Sequence, residues 1–160
     1  MMKHFNLSII VALLWACSSQ ATEQSLEGFW TLHIMEQKDS VGNWKEWRDG
    51  MQGYLLYDGK ENMALHLLEK EYETYADEFP NFSDTIALEH LQHLTGSYVY
   101  IGQYVILPGD SIVQHTRLSH SNPKDWGKVV QRKFSFKNDT LVMVPAEQEN
   151  ASLRLKWVKE

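Results

Sequence analysis

Gly28-Phe29-Trp30-Thr31-Leu32-His33-Ile34-Met35 is the stretch of sequence that decides the fold. Trp30, Leu32 and Ile34 place an apolar side chain at every second position, which is the period of a strand with one buried face. A Gly-x-Trp at the start of a first strand is typical of a small closed β-barrel. We therefore predict structural roles for Gly28 and Trp30 at the beginning of such a barrel.

Short apolar runs separated by turn residues follow this first strand. Turn signals lie at Asp58-Gly59-Lys60, Pro108-Gly109-Asp110 and Lys137-Asn138-Asp139. The predicted strands are residues 29–35, 44–47, 53–57, 62–67, 98–107, 111–118, 129–136, 140–144 and 152–158. About nine strands with mostly hairpin-length links predict an all-β, up-and-down antiparallel barrel of about 8–9 strands rather than a sandwich.

Residues 69–95 interrupt the strand pattern and predict a short helical insert. One apolar stripe at helical spacing stops at Pro80, and a second stops at Gly96. The stripes consist of Leu68, Tyr72, Tyr75 and Phe79, and then of Ile86, Leu88, Leu91 and Leu94. We expect this insert to cover one end of the barrel, either as a lid that controls access or simply as packing that closes the core.

Residues 1–16 have the pattern of a secretory signal peptide. Lys3 precedes a mostly apolar run over residues 7–16, with Ser8 as its one polar residue, that is too short to span a bilayer comfortably. The run leads into Leu14-Trp15-Ala16-Cys17, which resembles a bacterial lipobox, the signal for lipidation of the cysteine and cleavage before it. Two alternatives stay open, namely cleavage after Ala21 and an uncleaved anchor.

The cysteine count supports the lipoprotein interpretation. Cys17 is the only cysteine, so the chain cannot form an intramolecular disulfide in an oxidising compartment. Lipidation at Cys17 would remove the free thiol and anchor the chain firmly. We expect a tether over residues 17–26, a barrel domain over residues 27–160, and a lipid-anchored location in the cell envelope. Ser18 after the cysteine resembles the signal for the outer membrane, facing the periplasm or the cell surface.

The charge balance excludes one large class of partner. The formal net charge is −6, and removal of residues 1–16 with Lys3 makes it one unit more negative. An acidic chain is a poor binder of polyanions. We therefore expect no nucleic-acid partner.

Several short motifs carry information through their order along the chain. They are Gly28-x-Trp30, Gly53-Tyr54-Leu55-Leu56-Tyr57-Asp58, Tyr100-Ile101-Gly102-Gln103-Tyr104, Gln114-His115, Gln131-Arg132-Lys133-Phe134 and Leu155-Lys156-Trp157. Together they resemble the bacterial lipocalin-like domain family over residues 26–158, although Gln114 replaces a usual His. The resemblance implies a calycin-type β-barrel, in a family most of whose members have no assigned activity.

Aromatic and polar residues on the predicted strands are the candidates for ligand contact. The predicted ligand-binding residues are Tyr57, Tyr100, Tyr104, His115 and Arg132. Aromatic walls with a few polar groups are typical of small-molecule pockets, but a barrel of this size can equally be filled by its own side chains.

Arg132 and His115 each have two interpretations. Arg132 shares a strand face with Val130 and Phe134, where it either stacks over Trp30 to close the barrel or anchors the anionic group of a ligand. His115 is either hydrogen-bonded within the protein or contacts a ligand, in which case it can also act as a base.

The sequence contains no catalytic constellation. A Gly-x-Ser-x-Gly elbow and a glycine-rich phosphate loop are both missing, and we expect no metal and no cofactor. The leading hypothesis is a membrane-anchored barrel that binds a small hydrophobic or amphipathic ligand. The alternatives are an isomerase or cyclase that uses the barrel interior, and a structural or partner-binding lipoprotein with a filled barrel.

Overall fold

The first strand, β1 (Gly28–Lys38), pairs antiparallel with the last strand, β9 (Leu153–Lys159). The computed structural model describes residues 24–74, 85–109, 111–147 and 151–160. Because the first and last strands pair, the sheet closes on itself instead of ending in two free edges. The prediction of a closed barrel is confirmed.

Seven further strands lie between β1 and β9 in the described part of the chain. They are β2 (Trp44–Glu46), β3 (Met51–Tyr57), β4 (Asn62–Glu69), β5 (Ser97–Leu107), β6 (Ile112–His120), β7 (Val129–Lys137) and β8 (Thr140–Pro145). The sheet order is β2-β1-β3-β4-β5-β6-β7-β8-β9, closed by β1 and β9. Eight strands thus form an up-and-down barrel, as predicted, and β2 is an extra strand paired with the last residues of β1.

Local side-chain hydrogen bonds explain two of the turns. Oδ1 of Asp58 accepts hydrogen bonds from the backbone N–H groups of Lys60 at 2.7 Å and Asn62 at 2.9 Å, which turns the chain from β3 into β4. Oδ1 of Asp39 accepts from the N–H groups of Val41 and Asn43 in the same way. The hairpin predicted at Asp58 is confirmed.

A β-bulge in β1 changes which of its residues face the interior. The pairing with β9 shifts between Leu32 and Ile34, so the strand contains one extra residue there. Leu32 and Met35 are buried, whereas Ile34 is partly exposed. The expectation that Ile34 continues the inner face of Trp30 and Leu32 is wrong, because the bulge gives the inward position to Met35.

Trp30 is a core residue at the end of the barrel where β1 begins, here called the Trp30 end. Its indole Nε1 donates a hydrogen bond to the carbonyl oxygen of Leu26 at 2.8 Å, and its ring packs on Phe136. The Nζ atom of Lys159 lies 5.5 Å from the centre of the indole. Gly28, at a φ of +136°, leaves room for this lysine, since a Cβ at position 28 would lie 2.4 Å from its Cε.

The expected stacking of Arg132 over Trp30 is wrong. Lys159 provides the cation at this indole, because the register between β1 and β9 places Trp30 opposite Lys159. Arg132 instead lines a cavity nearer the other end of the barrel. That second end contains Trp47 and is called the Trp47 end below.

The helical insert is smaller than predicted. β4 continues to Glu69, a 3-10 turn covers Tyr72–Thr74, and the seven-residue helix α1 covers Leu88–Leu94. Residues 75–84, where part of the first stripe was expected, lie outside the described residues. The two residues after α1, Thr95 and Gly96, line the cavity at the Trp47 end.

No helix in the described ranges combines the length and apolar character needed to cross a membrane.

Candidate ligand-binding cavity

The barrel interior contains a cavity of about 330 Å³. Its wall is mostly apolar and comprises Met35, Trp47, Met51, Leu55, Leu65, Leu67, Met143, Pro145, Leu153, Leu155 and Trp157. Arg48, Thr95, Tyr98, Tyr100, His115 and Arg132 add polar groups. Small-molecule sites in proteins occupy about 300–1,000 Å³ and combine apolar walls with a few polar groups. The cavity therefore has the lining of such a site, at the lower end of its size range.

His115, in the middle of β6, is held between two tyrosines. The hydroxyl of Tyr57 on β3 lies 2.8 Å from Nε2, and the hydroxyl of Tyr100 on β5 lies 2.8 Å from Nδ1. All three side chains are buried. Since both ring nitrogens have partners, the orientation of the imidazole is fixed, as expected for a histidine that is hydrogen-bonded within the protein.

Burial keeps these three side chains neutral. It lowers the pKa of His115 to about 3, with smaller contributions from the positive charges of Arg132 and Arg117. Burial also raises the pKa of Tyr100 to about 12 and the pKa of Tyr57 well above its ordinary value. A general base works best when its pKa lies near the working pH. The trio is therefore suited to hydrogen bonding rather than to proton abstraction at neutral pH.

Arg132, on β7, presents its side chain to the same cavity. Its Nη1 donates a hydrogen bond to the backbone oxygen of Gln131 at 2.8 Å and lies 3.5 Å from Oε2 of Glu147. The other oxygen of Glu147 accepts from the N–H of Gln131 at 2.8 Å. Two fixed neighbours thus position the guanidinium, which has five N–H donors in all.

A family model for the lipocalin-like domain matches residues 27–159. The chain belongs to the lipocalin-like domain family. This confirms the resemblance carried by the motifs, and the match covers the whole eight-stranded barrel. A search of curated proteins finds no match to this chain.

A second polar layer supports the tyrosines of this lipocalin-like barrel. Nη2 of Arg117 donates a hydrogen bond to the hydroxyl of Tyr98 at 2.8 Å, and the guanidinium lies 4.9 Å from the centre of the Tyr100 ring. Asp125 lies 3.8 Å from Nη1 of Arg117 and compensates its buried charge. The ring of His120 stacks on Tyr100 with centres 5.7 Å apart. These contacts hold the side chains of both tyrosines in place.

The Trp47 end carries unusual backbone geometry beside the cavity. Arg48 and Asp49 have φ angles of 52° and 57°, in the left-handed region. Non-glycine residues in that region cost of order 1–3 kcal/mol each and cluster at ligand sites. The Arg48 guanidinium lies 4.6 Å from the centre of the Trp47 ring, and both side chains line the cavity.

The structure separates the five predicted ligand-binding residues into two groups. Tyr100, His115 and Arg132 line one cavity. Tyr57 and Tyr104 do not line it: Tyr57 is hydrogen-bonded to His115, and the Tyr104 ring packs edge-on against Tyr57 with centres 4.7 Å apart. Tyr57 therefore connects to the cavity only through His115.

Tyr98 and Arg48 are cavity residues that the sequence did not single out. The signal for Tyr98 was present, because it lies two positions before Tyr100 and hence on the same strand face. Arg48 gave no signal, since a left-handed turn at Trp47–Asp49 cannot be read from a segment that begins like a strand.

The residues that the structure describes contain no candidate metal site. None of their His, Cys, Asp and Glu side chains form a group of three placed to hold an ion. That statement does not extend to Glu89, His93 and Cys17, which are residue types that can bind a metal. The side chains of Glu89 and His93, and the whole of Cys17, lie outside the described part.

Proposed function

We propose that this lipocalin-like barrel binds a small hydrophobic or amphipathic molecule in the cavity between His115 and the Trp47 end. The observation that carries the proposal is an interior volume of about 330 Å³ with a largely apolar wall. A filled barrel would leave no such volume. The pKa of His115, lowered to about 3 by burial, makes this residue a poor proton acceptor near neutrality and so gives no support to an isomerase or cyclase that uses it as a base.

Titration with anilinonaphthalene sulfonate, an amphipathic dye with an apolar ring system and an anionic sulfonate, tests this proposal. The dye should bind saturably with one molecule per chain. Leu155→Trp, which fills part of the cavity, should weaken the affinity at least about tenfold. Leu118→Trp is the matched control, because Leu118 is 56% exposed and does not line the cavity. Equal affinities of the two variants, or binding that does not saturate, would contradict a cavity ligand.

We also propose that a lipid on Cys17 tethers the barrel to the cell envelope, at the outer membrane. The lipobox-like sequence and the single cysteine support this. Residues 1–23 lie outside the described residues, but the side chain of Gln24 donates a hydrogen bond to the backbone oxygen of Asn138 at 2.6 Å. Asn138 is in the β7–β8 turn at the Trp30 end. A tether would thus join the barrel at the end opposite the Trp47 end.

Cell fractionation of Cys17→Ala tests the tether. The variant should move from the membrane fraction to the soluble fraction, while Ser18→Ala should stay in the membrane fraction. A Cys17→Ala protein that fractionates like wild type would contradict lipidation at this residue.

A further inference from the structure

The burial of Tyr57 determines where the protons around His115 lie. Within the described chain, the hydrogen-bond partner of the Tyr57 hydroxyl is Nε2 of His115, and Tyr57 has no exposed surface. If Nε2 carried the proton, the hydroxyl proton of Tyr57 would be buried without an acceptor, which native proteins avoid. Tyr57 therefore donates to Nε2, and the neutral imidazole carries its proton on Nδ1.

This tautomer turns the Tyr100 hydroxyl into a donor toward the cavity. Nδ1–H of His115 donates to the hydroxyl oxygen of Tyr100 at 2.8 Å. Arg117, the other polar group beside that oxygen, has only donors. The proton of the Tyr100 hydroxyl is thus left for an acceptor elsewhere, and Tyr100 lines the cavity.

Tyr98 is in the same situation. Its hydroxyl oxygen accepts a hydrogen bond from Nη2 of Arg117 at 2.8 Å, and an arginine cannot accept one in return. The hydroxyl proton of Tyr98 is therefore also available, and Tyr98 lines the cavity two positions before Tyr100 on β5.

Arg132 adds further donors to this group, although one of its nitrogens already has internal acceptors. Its guanidinium lines the cavity, and its acidic neighbour Glu147 is half exposed and bound by the N–H of Gln131. Within the described residues, Glu147 and the Gln131 carbonyl engage Nη1 of Arg132 and leave its other N–H groups for a ligand. The charged residues in the described lining are Arg48 and Arg132, both cationic, although the whole chain is acidic.

We infer that Tyr98, Tyr100 and Arg132, here called the donor corner, bind the carboxylate of a small amphipathic acid whose apolar chain lies against Met143, Leu155 and Trp157. This inference rests on the proposed function and specifies the ligand class. A carboxylate only accepts hydrogen bonds, so it matches a corner that only donates. An ammonium or amide N–H group would remain unpaired there, at a cost in affinity.

Calorimetric titration with three ligands of one chain length tests the inference at neutral pH. Decanoate should bind wild type at least about tenfold more tightly than decanol, and decylamine should bind more weakly than both, because hydrogen bonds to a charged partner are the stronger ones. Equal affinities for decanoate and decanol would overturn the carboxylate inference and leave the proposed cavity function intact. If decanoate, decanol and anilinonaphthalene sulfonate all fail to bind, the proposed function itself is wrong.

Three variants test whether the preference for decanoate arises at the donor corner. Arg132→Met keeps a long side chain and should reduce the ratio of decanol to decanoate dissociation constants to about one. Lys133→Met is the matched control, since it removes an equal charge from the exposed neighbouring position and should leave the ratio unchanged. Tyr100→Phe keeps the ring, so it stays informative if Arg132→Met does not fold. Tyr100→Phe should weaken decanoate binding at least about fivefold, and an unchanged affinity would overturn the role of the donor corner.

Discussion

The hydroxyl oxygen of Tyr57 and Nε2 of His115 lie 2.8 Å apart in the barrel interior, and the exposed fractions of the two residues are 0% and 2%. The contact links the core of the Trp30 end to the wall of the cavity, because Tyr57 packs on Tyr104 while His115 lines the cavity. A second proton on the imidazole would leave the hydroxyl proton of Tyr57 buried without an acceptor and would bury a positive charge near Arg117 and Arg132. The neutral imidazole is thus part of the native structure.

Stability should therefore fall as the pH falls below 6.5. The pKa of His115 is lowered from 6.5 to about 3, so between these values the unfolded chain binds a proton that the folded chain does not. The free energy of unfolding should fall by up to about 1.4 kcal/mol per pH unit from this group, and the contribution is fully present above pH 6.5. Urea unfolding at a series of pH values measures this slope.

His115→Gln isolates the contribution of that histidine. Other groups also make the stability of wild type depend on pH. His120 is buried and has a lowered pKa, and hydrogen bonds from Arg154 lower the pKa of Glu36 from 4.5 to about 2. Above pH 4.5 most of the Glu36 carboxyl groups are ionised in both the folded and the unfolded chain, and both proteins retain Glu36. Between pH 4.5 and pH 6.5, the free energy of unfolding of His115→Gln should change less steeply with pH than that of wild type. Identical slopes would show that His115 is not a neutral buried group.

Removing the Tyr57 hydroxyl should destabilise the barrel. Tyr57→Phe keeps the ring packing but leaves Nε2 of His115 buried without a partner, at a cost of about 1–3 kcal/mol in the free energy of unfolding. Tyr54→Phe, at an exposed position of the same strand, should change it by less than about 0.5 kcal/mol. Equal stabilities of the two variants in urea would argue against the Tyr57–His115 contact.

Trp30 should be one of the most costly residues to truncate. Trp30→Ala removes a buried indole together with its hydrogen bond to Leu26 and should lower the free energy of unfolding by about 3–5 kcal/mol. Phe29→Ala, which removes an exposed ring stacked on Tyr54, should cost about 1 kcal/mol or less. An unchanged melting curve for Trp30→Ala would mean that Trp30 is not in the core.

Gly102 should not tolerate a side chain. It lies at a register shift between β5 and β6, where an added Cβ would be 2.0 Å from the backbone oxygen of Thr116. Since backbone has to move, Gly102→Ala should cost about 1–3 kcal/mol or more. Gln103→Ala, at the next and exposed position, should be nearly neutral. Thermal unfolding compares them, and a Gly102→Ala protein as stable as Gln103→Ala would contradict the close strand approach.

The barrel was predictable because its signals are local. Alternating apolar positions and turn residues such as Asp58 lie within a few residues of the structure that they specify. The same alternation places Tyr98 and Tyr100 on one face of β5. Two of the predicted candidates, Tyr100 and His115, reached the cavity wall for this reason.

Features that depend on pairing between distant segments could not be predicted. The bulge that turns Met35 inward exists only in the register with β9, and that register also brings Lys159 to Trp30. One of the two interpretations of Arg132, stacking over Trp30, therefore placed it at the wrong end of the barrel, whereas the other matches its place in the cavity wall. Tyr98 and Tyr100 are left to donate toward the cavity only because their hydroxyl oxygens accept from Arg117 and His115, whose positions depend on the pairing of β5 with β6.

Native mass spectrometry of the protein purified from the cells that express it naturally would show whether the cavity holds a ligand. One noncovalent small-molecule adduct per chain, of amphipathic-acid type, should be retained by wild type and by Leu118→Trp and lost from Leu155→Trp. A wild-type protein without a noncovalent adduct, or a noncovalent adduct that persists in Leu155→Trp, would contradict binding inside the cavity.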